Sequence, residues 1–173
     1  PIFTAPFAPD FAYSGNSGTD RWYLSSRLTA GHFLNFSSTA AEGGLSPGGL
    51  FYQNGVFNNS FNNYSGWMWK RAPSFCDVVC YTGTGSNRTV SHNLTVAPEM
   101  MWVKGRTLAS DWRVYHKSTG NTKQLRLNES VAASSEPYWN NTTPTSSVFS
   151  LNSNARVNGS GETYIAYLFA SLA

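Results

Sequence analysis

Apolar and polar residues alternate along most of this chain, and no segment sustains a 3.6-residue apolar period. Residues 20–25 alternate through Trp22 and Leu24. A β-branched and aromatic run over 76–82 stops at Thr82-Gly83-Thr84-Gly85-Ser86-Asn87, a strong turn signal. Residues 88–95 place Val90, His92 and Leu94 on one face, and Met100 to Val103 form a short apolar run. Residues 111–116 put Trp112, Val114 and His116 on one side, with Arg113 and Tyr115 on the other. Gly120-Asn121 opens a turn, and residues 122–127 turn Leu125 and Leu127 inward, Gln124 and Arg126 outward. Val148, Phe149 and Leu151 mark one more strand before a last one that ends at Phe169. Residues 130–136 make one helical turn or an irregular loop, and Pro137 ends either. Turn signals about every ten residues are the mark of a sandwich or jelly roll.

The pattern also repeats. Asn58, Ser60 and Tyr64 fall on Asn158, Ser160 and Tyr164 at an offset of 100, and Trp67-Met68-Trp69 falls on Tyr167-Leu168-Phe169. Upstream, Phe7-Ala8-Pro9-Asp10-Phe11 matches Val96-Ala97-Pro98-Glu99-Met100 at 89, and Ser46-Pro47 matches Thr143-Pro144 at 97. Loop insertions in the second copy account for the drift. The expectation is an all-β chain of two diverged tandem repeats, each a sandwich or jelly-roll-like module. The first spans 1–72, the second 73–173, with the boundary in Trp69-Lys70-Arg71-Ala72-Pro73. The first copy lacks a counterpart of residues 76–95. Either that segment once lay upstream of Pro1 or another chain supplies equivalent strands.

Composition narrows the class. Only 12% of residues are charged, against roughly 25% in ordinary soluble domains. Aromatics make up 15%, and Asn, Ser, Thr and Gly number 69. Such a chain is not disordered. It suits a β domain whose solvent face is Ser, Thr and Asn, as on extracellular particles and adhesins. The net charge of +3 is too small to argue for nucleic acid. No apolar run approaches the roughly 18 residues a membrane span needs.

Lys104, Arg106, Arg113, Lys117, Lys123 and Arg126 form one basic cluster, read either as a patch for an anionic glycan or partner, or as the solvated face of two hairpins. The second reading is favoured. Nine N-x-S/T sequons occur, at Asn35, Asn58, Asn63, Asn87, Asn93, Asn128, Asn140, Asn141 and Asn158. They mark a secreted glycoprotein or, the favoured reading, turn chemistry written in Asn, Ser and Thr.

Catalytic signals are weak. The nine acids are scattered singly, without a D-x-D or D-x-E unit. Gly159-Ser160-Gly161 lacks the spacing of a nucleophile elbow, and His32, His92 and His116 are isolated. Cys76, Cys80 and His92 match no common zinc spacing. On a strand the two cysteines stand roughly 13 Å apart, beyond the ~7 Å a disulfide spans, so they read as small apolar residues. Gly83-Thr84-Gly85 follows a strand, but no helical pattern follows to make it a phosphate cradle. No cofactor or metal is expected. For sugar contact the best candidates are Tyr138, Trp139, Asn140 and Asn141, aromatics flanked by amides in the longest polar loop. The favoured reading, however, has Trp139 capping that loop over the core.

The second copy resembles a domain of unknown function that recurs in virion proteins of tailed phages, especially marine ones. The resemblance rests on Phe75-Cys76-Asp77-Val78-Val79-Cys80-Tyr81-Thr82-Gly83-Thr84-Gly85, on Ala97-Pro98-Glu99-Met100-Met101-Trp102-Val103-Lys104, and on Asp111-Trp112-Arg113-Val114-Tyr115-His116. Trp139-Asn140-Asn141-Thr142-Thr143-Pro144 and Tyr164-Ile165-Ala166-Tyr167-Leu168-Phe169 continue it. It implies apolar or Thr residues where Cys76 and Cys80 stand, in line with packing roles. Members are usually parts of longer proteins. The resemblance implies a non-enzymatic structural protein of a phage virion (tail fibre, spike or capsid decoration), with a possible face for a host glycan. A secreted carbohydrate-binding or adhesion module of cellular origin is the alternative. No catalytic residue carries over. The implied partners are other copies of the chain, a trimer by analogy to phage fibres, and other virion proteins. Pro1 to Phe11 is expected to be extended and to pack on one of them.

Overall fold

The computed structural model of the chain describes residues 2–16, 22–45, 50–51, 56–58 and 64–171. The Ser46-Pro47 anchor, the sequon at Asn63, Ser60 and Pro1 lie outside the described residues. The chain divides into two compact units, Pro1–Arg71 and Ala72–Ala173. Both are all-β among the described residues, apart from one 3-10 turn and one helical turn.

The first unit contains β1 (Ile2–Thr4), β2 (Phe11–Asn16), β3 (Trp22–Ser26), β4 (His32–Asn35), β5 (Gly43–Leu45), β6 (Leu50–Phe51), β7 (Val56–Asn58) and β8 (Tyr64–Trp69). Five form an antiparallel sheet in the order β5-β4-β3-β2-β8, and three a smaller sheet in the order β1-β7-β6. Alternation sets the large sheet. Tyr13 stands opposite Leu24 and Trp67, and Leu24 opposite Leu34, so one face carries a row of large apolar side chains. The reversal from β3 to β4 uses the 3-10 turn Arg27–Thr29, then Ala30 and Gly31 at φ 50° and 86°.

The second unit contains β9 (Cys76–Thr82), β10 (Arg88–Ser91), β11 (Met100–Gly105), β12 (Arg113–His116), β13 (Lys123–Arg126), β14 (Ser134–Ser135), β15 (Val148–Leu151), the turn α1 (Ala155–Asn158) and β16 (Thr163–Phe169). Six strands form a sheet in the order β14-β13-β12-β11-β16-β9, and β10 pairs with β15. The core joins Met101, Val103, Tyr115, Tyr164, Ala166 and Leu168 of the large sheet to Val90, Phe149 and Leu151 of the small one. Leu94, Tyr138, Trp139 and Val157 join it from loops and α1.

The two large sheets share a pairing order. β8 and β16 each pair with the strand that opens the following hairpin, β2 or β11, and each sheet then continues outward through three further strands. The entry bonds correspond: Asp10 N–H donates to Trp69 O at 2.7 Å, Glu99 N–H to Phe169 O at 2.9 Å. Arg27 N–H donates to Asp10 O at 2.9 Å, and Lys117 N–H to Glu99 O at 2.8 Å. An ion pair accompanies each, Arg27 with Asp10 and Lys117 with Glu99. One strand differs. β9 lies beyond β16, whereas β8 is the edge of its sheet among the described residues.

Two expectations change. Ile2–Thr4 pairs antiparallel with Val56–Asn58, so part of the N-terminal stretch is engaged within its own unit. Residues 130–136 end in the short strand β14, paired with Lys123 and Gln124. Trp67, whose counterpart Tyr167 is fully buried, is 49% exposed. Leu168 is fully buried in the core cluster. Its replacement by Ala should lower unfolding free energy by roughly 2–5 kcal/mol, read as a shift in denaturant midpoint at constant m-value.

Candidate functional site: an aromatic strip and a buried charge cluster

Local sequence builds the strip. β2 reads Phe11-Ala12-Tyr13-Ser14-Gly15, and period-two alternation sends Tyr13 and the Gly15 position to one face. Gly15 stands opposite Trp22. A Cβ there would lie 1.6 Å from the indole Cε3, so only glycine lets Trp22 lie flat across the strand. The Trp22 and Tyr13 rings stack at 5.1 Å with 8° between planes. Phe36 meets Tyr13 edge-on at 5.2 Å, and Trp67 lies 5.6 Å away, tilted 33°. Such geometries suit the ring quadrupoles. Burial raises the Tyr13 hydroxyl pKa above its ordinary value. The strip ends at Trp67, an exposed indole. Flat apolar faces of this kind stack on pyranose rings or on other planar groups.

The loop residues named for sugar contact sit elsewhere and differently. Tyr138 is 3% exposed and Trp139 is fully buried, so neither ring offers a free face. The Trp139 Nε1–H donates to Lys123 O at 2.9 Å, and its ring meets Tyr115 edge-on. The Arg113 guanidinium lies over the Tyr138 ring at 5.2 Å. Asn140 and Asn141 stay at the surface in left-handed conformation, φ 51° and 50°. Asn140 accepts a hydrogen bond from Asn87, which pins the turn. Trp139 therefore closes a loop over the core. The signal for the actual strip was the glycine inside an aromatic strand, Tyr13-Ser14-Gly15.

The basic cluster divides: Lys117 and Lys123 are exposed, as on a solvated face, whereas two members are buried. Lys104 is fully buried and Arg113 is 1% exposed. Lys104 Nζ donates to Ser110 O at 2.6 Å. Arg113 Nη2 donates to Asp111 Oδ2 at 2.8 Å, and Asn128 Nδ2 to Asp111 Oδ1 at 3.1 Å. Burial alone would raise the Asp111 pKa; the Asn128 hydrogen bond and the guanidinium groups of Arg113 and Arg126 outweigh it, so the carboxyl is held below its ordinary value. Lys117 and Arg126 reach outward to Glu99 and Glu129. A charged side chain buried this way needs its partners in place, and here hairpin β11–β12 and the following loop supply them.

The remaining polar candidates serve the fold. His92 is buried; its Nδ1 accepts from Leu94 N–H, and Nε2 lies 3.2 Å from Thr145 O. Burial lowers its pKa. The Gly83-Thr84-Gly85 amides donate to Glu162 O, Asn158 Oδ1 and Asn158 O, so they do not cradle an anion. Cys76 is buried and Cys80 half-buried, and neither forms a disulfide. Asn158 of the last sequon is fully buried, and the Asn35 and Asn128 side chains accept from backbone amides nearby in their own turns or across the hairpin. An open groove of about 500 Å³ is lined by Phe75, Val96, Ala97 and Glu99, and the Glu99 carboxylate is paired with Lys117.

These features describe a chain of two all-β units in which the buried charged side chains Asp10, Asp77, Lys104, Asp111 and Arg113 are bonded within the fold. The chain belongs to a family described as Domain of unknown function (DUF7483), whose model matches residues 35–173. No curated protein and no solved structure matches it.

Two outcomes follow from this geometry. Gly15→Ala should force the Trp22 ring off Tyr13, lowering stability by roughly 1–3 kcal/mol and reducing the near-UV circular dichroism of the strip. Burial pulls the Lys104 pKa down to about 8, with Asp111 opposing and Arg113 adding to the shift. Between pH ~8 and ~10.5 the unfolded chain binds the proton that the folded chain has released, so this lysine makes stability rise with pH across that window. The difference in pH slope between wild type and Lys104→Met, from denaturant melts, should carry that rise.

Proposed function

We propose that this chain is a non-enzymatic structural module of a phage virion, as a fibre, spike or capsid decoration, and that its two units are diverged copies of one domain. The observation that carries the reading is the employment of the chemistry-bearing side chains. Asp10 binds Arg27 and Arg71, Asp77 holds the Val78 and Asn93 amides, and Asp111, Arg113 and Lys104 form one buried cluster. Groups held this way position backbone rather than reactants. The corresponding bond pattern of the two large sheets supports common descent of the units. The resemblance of the second unit to a domain of virion proteins supplies the setting. In this reading the chain assembles with copies of itself, a trimer by analogy to fibres, and with other virion proteins.

The Trp67–Tyr13–Trp22–Phe36 strip favours a second reading, a carbohydrate-binding or adhesion module of cellular origin. The two separate in one pair of experiments. An antibody to this chain should label purified particles at a fixed position, and mass spectrometry should find the chain in them. Its absence from particles, together with glycan-array binding that Trp67→Ala abolishes, would replace the first reading with the second.

A further inference from the structure

We propose that the outer edge of β8 accepts an added antiparallel strand of the β9 class, supplied by a partner chain. The second unit provides the template. There, the strand in β8's place, β16, carries β9 on its far side in the register Phe169↔Cys76, Tyr167↔Val78 and Ile165↔Cys80. In the first unit the sheet stops at β8 among the described residues.

Backbone direction identifies the groups concerned. Trp69 O accepts from Asp10 N–H, so Trp69 and Trp67 turn their backbone groups toward β2. Neighbouring residues of a strand point oppositely, so Gly66 and Met68 turn N–H and C=O outward. In the second unit Phe169 O accepts from Glu99 N–H, and Ala170 N–H donates to Phe75 O on the β9 side. Leu168 and Ala166 therefore face β9, where Asp77 and Val79 meet them.

Side chains tell the same story. Tyr167 and Leu168 are fully buried beside β9, whereas Trp67 is 49% exposed and Met68 half-buried. The outer edge of β9, by contrast, is blunted from within its unit. Val78 N–H donates to the Asp77 carboxylate, Thr82 O accepts from Arg88, and Cys76 bridges to Ala72. A protein that caps one edge with a carboxylate and a guanidinium and leaves a six-residue apolar strand at another is arranged to be paired there. The stretch before β2 is not the occupant, since Ile2–Thr4 pairs with β7. The required occupant is an extended segment with β-branched or small residues opposite Trp67 and Trp69, as Val78 and Cys76 stand opposite Tyr167 and Phe169.

The probe is a synthetic peptide of residues 75–82 carrying Cys76→Ser and Cys80→Ser, added to the whole chain. Saturable binding should slow hydrogen exchange at the Gly66 and Met68 amides and shift Trp67 emission to the blue. Peptides N-methylated at the positions of Asp77, Val79 and Tyr81 should bind on the order of tenfold more weakly for each bond removed. Methylation at Val78 and Cys80 should change nothing. Equal binding by both methylated sets, or no added protection at Gly66 and Met68, overturns the proposal. So does full protection of those amides in the free chain. A dimer in sedimentation that Met68→Lys dissolves would assign the edge to a second copy instead.

Discussion

The second unit depends on one carboxamide. Asn158, fully buried, donates to Ser86 O at 2.6 Å and Asn152 O at 2.8 Å, and accepts from Thr84 N–H at 2.9 Å. Those three bonds tie the β9–β10 turn, the end of β15 and α1 to a single point. Two tyrosines finish the knot. Tyr81 hydroxyl donates to Val157 O, and Tyr164 hydroxyl donates to Ala155 O while accepting from Gly159 N–H. Close approach makes it tight: a Cβ on Gly83 would lie 2.1 Å from Gly159 O. Removing a fully bonded buried amide leaves several backbone groups unsatisfied at once, which is costlier than the loss of any one bond. Strand β16 starts directly after this knot, so its register against β9 and β11 follows from it.

Charge is used in the same economical way. A chain with 12% charged residues still buries Asp10, Asp77, Lys104, Asp111 and Arg113. Each stands where a strand begins, ends or turns, and each bonds backbone or an opposite charge. Such pairs add little net stability compared with apolar packing, yet they penalise any register that separates them. Because a one-residue slip would turn every side chain of a strand to the other face, that penalty favours one register.

Among the described residues, the two large sheets treat their edges differently. One ends in a strand whose outward groups are capped locally; the other ends in β8, flanked by an exposed indole. The aromatic strip and the β8 edge meet at Trp67, so a partner strand and a planar ligand would compete for, or share, the same side chain.

Much of this was written in the sequence. Alternation and turn residues placed the strands around 76–82, 100–104, 113–116, 123–126 and 148–151, because period two and Gly/Asn turns are local physics. The same alternation put Val90, His92 and Leu94 on one face, and all three are buried. What the sequence left open depended on which face of a strand meets which neighbour. Lys104 and Arg113 look like solvent residues until the loop before β12, strand β13 and the loop after it bring Ser110, Asp111, Gln124 and Asn128 around them. Trp139 looks like an exposed loop aromatic until Tyr115 and the Lys123 carbonyl close on it. Trp67 and Tyr167 hold matching places in sequence, yet among the described residues Tyr167 is flanked by strands on both sides and Trp67 on one, a difference decided by tertiary pairing rather than by anything local to either residue.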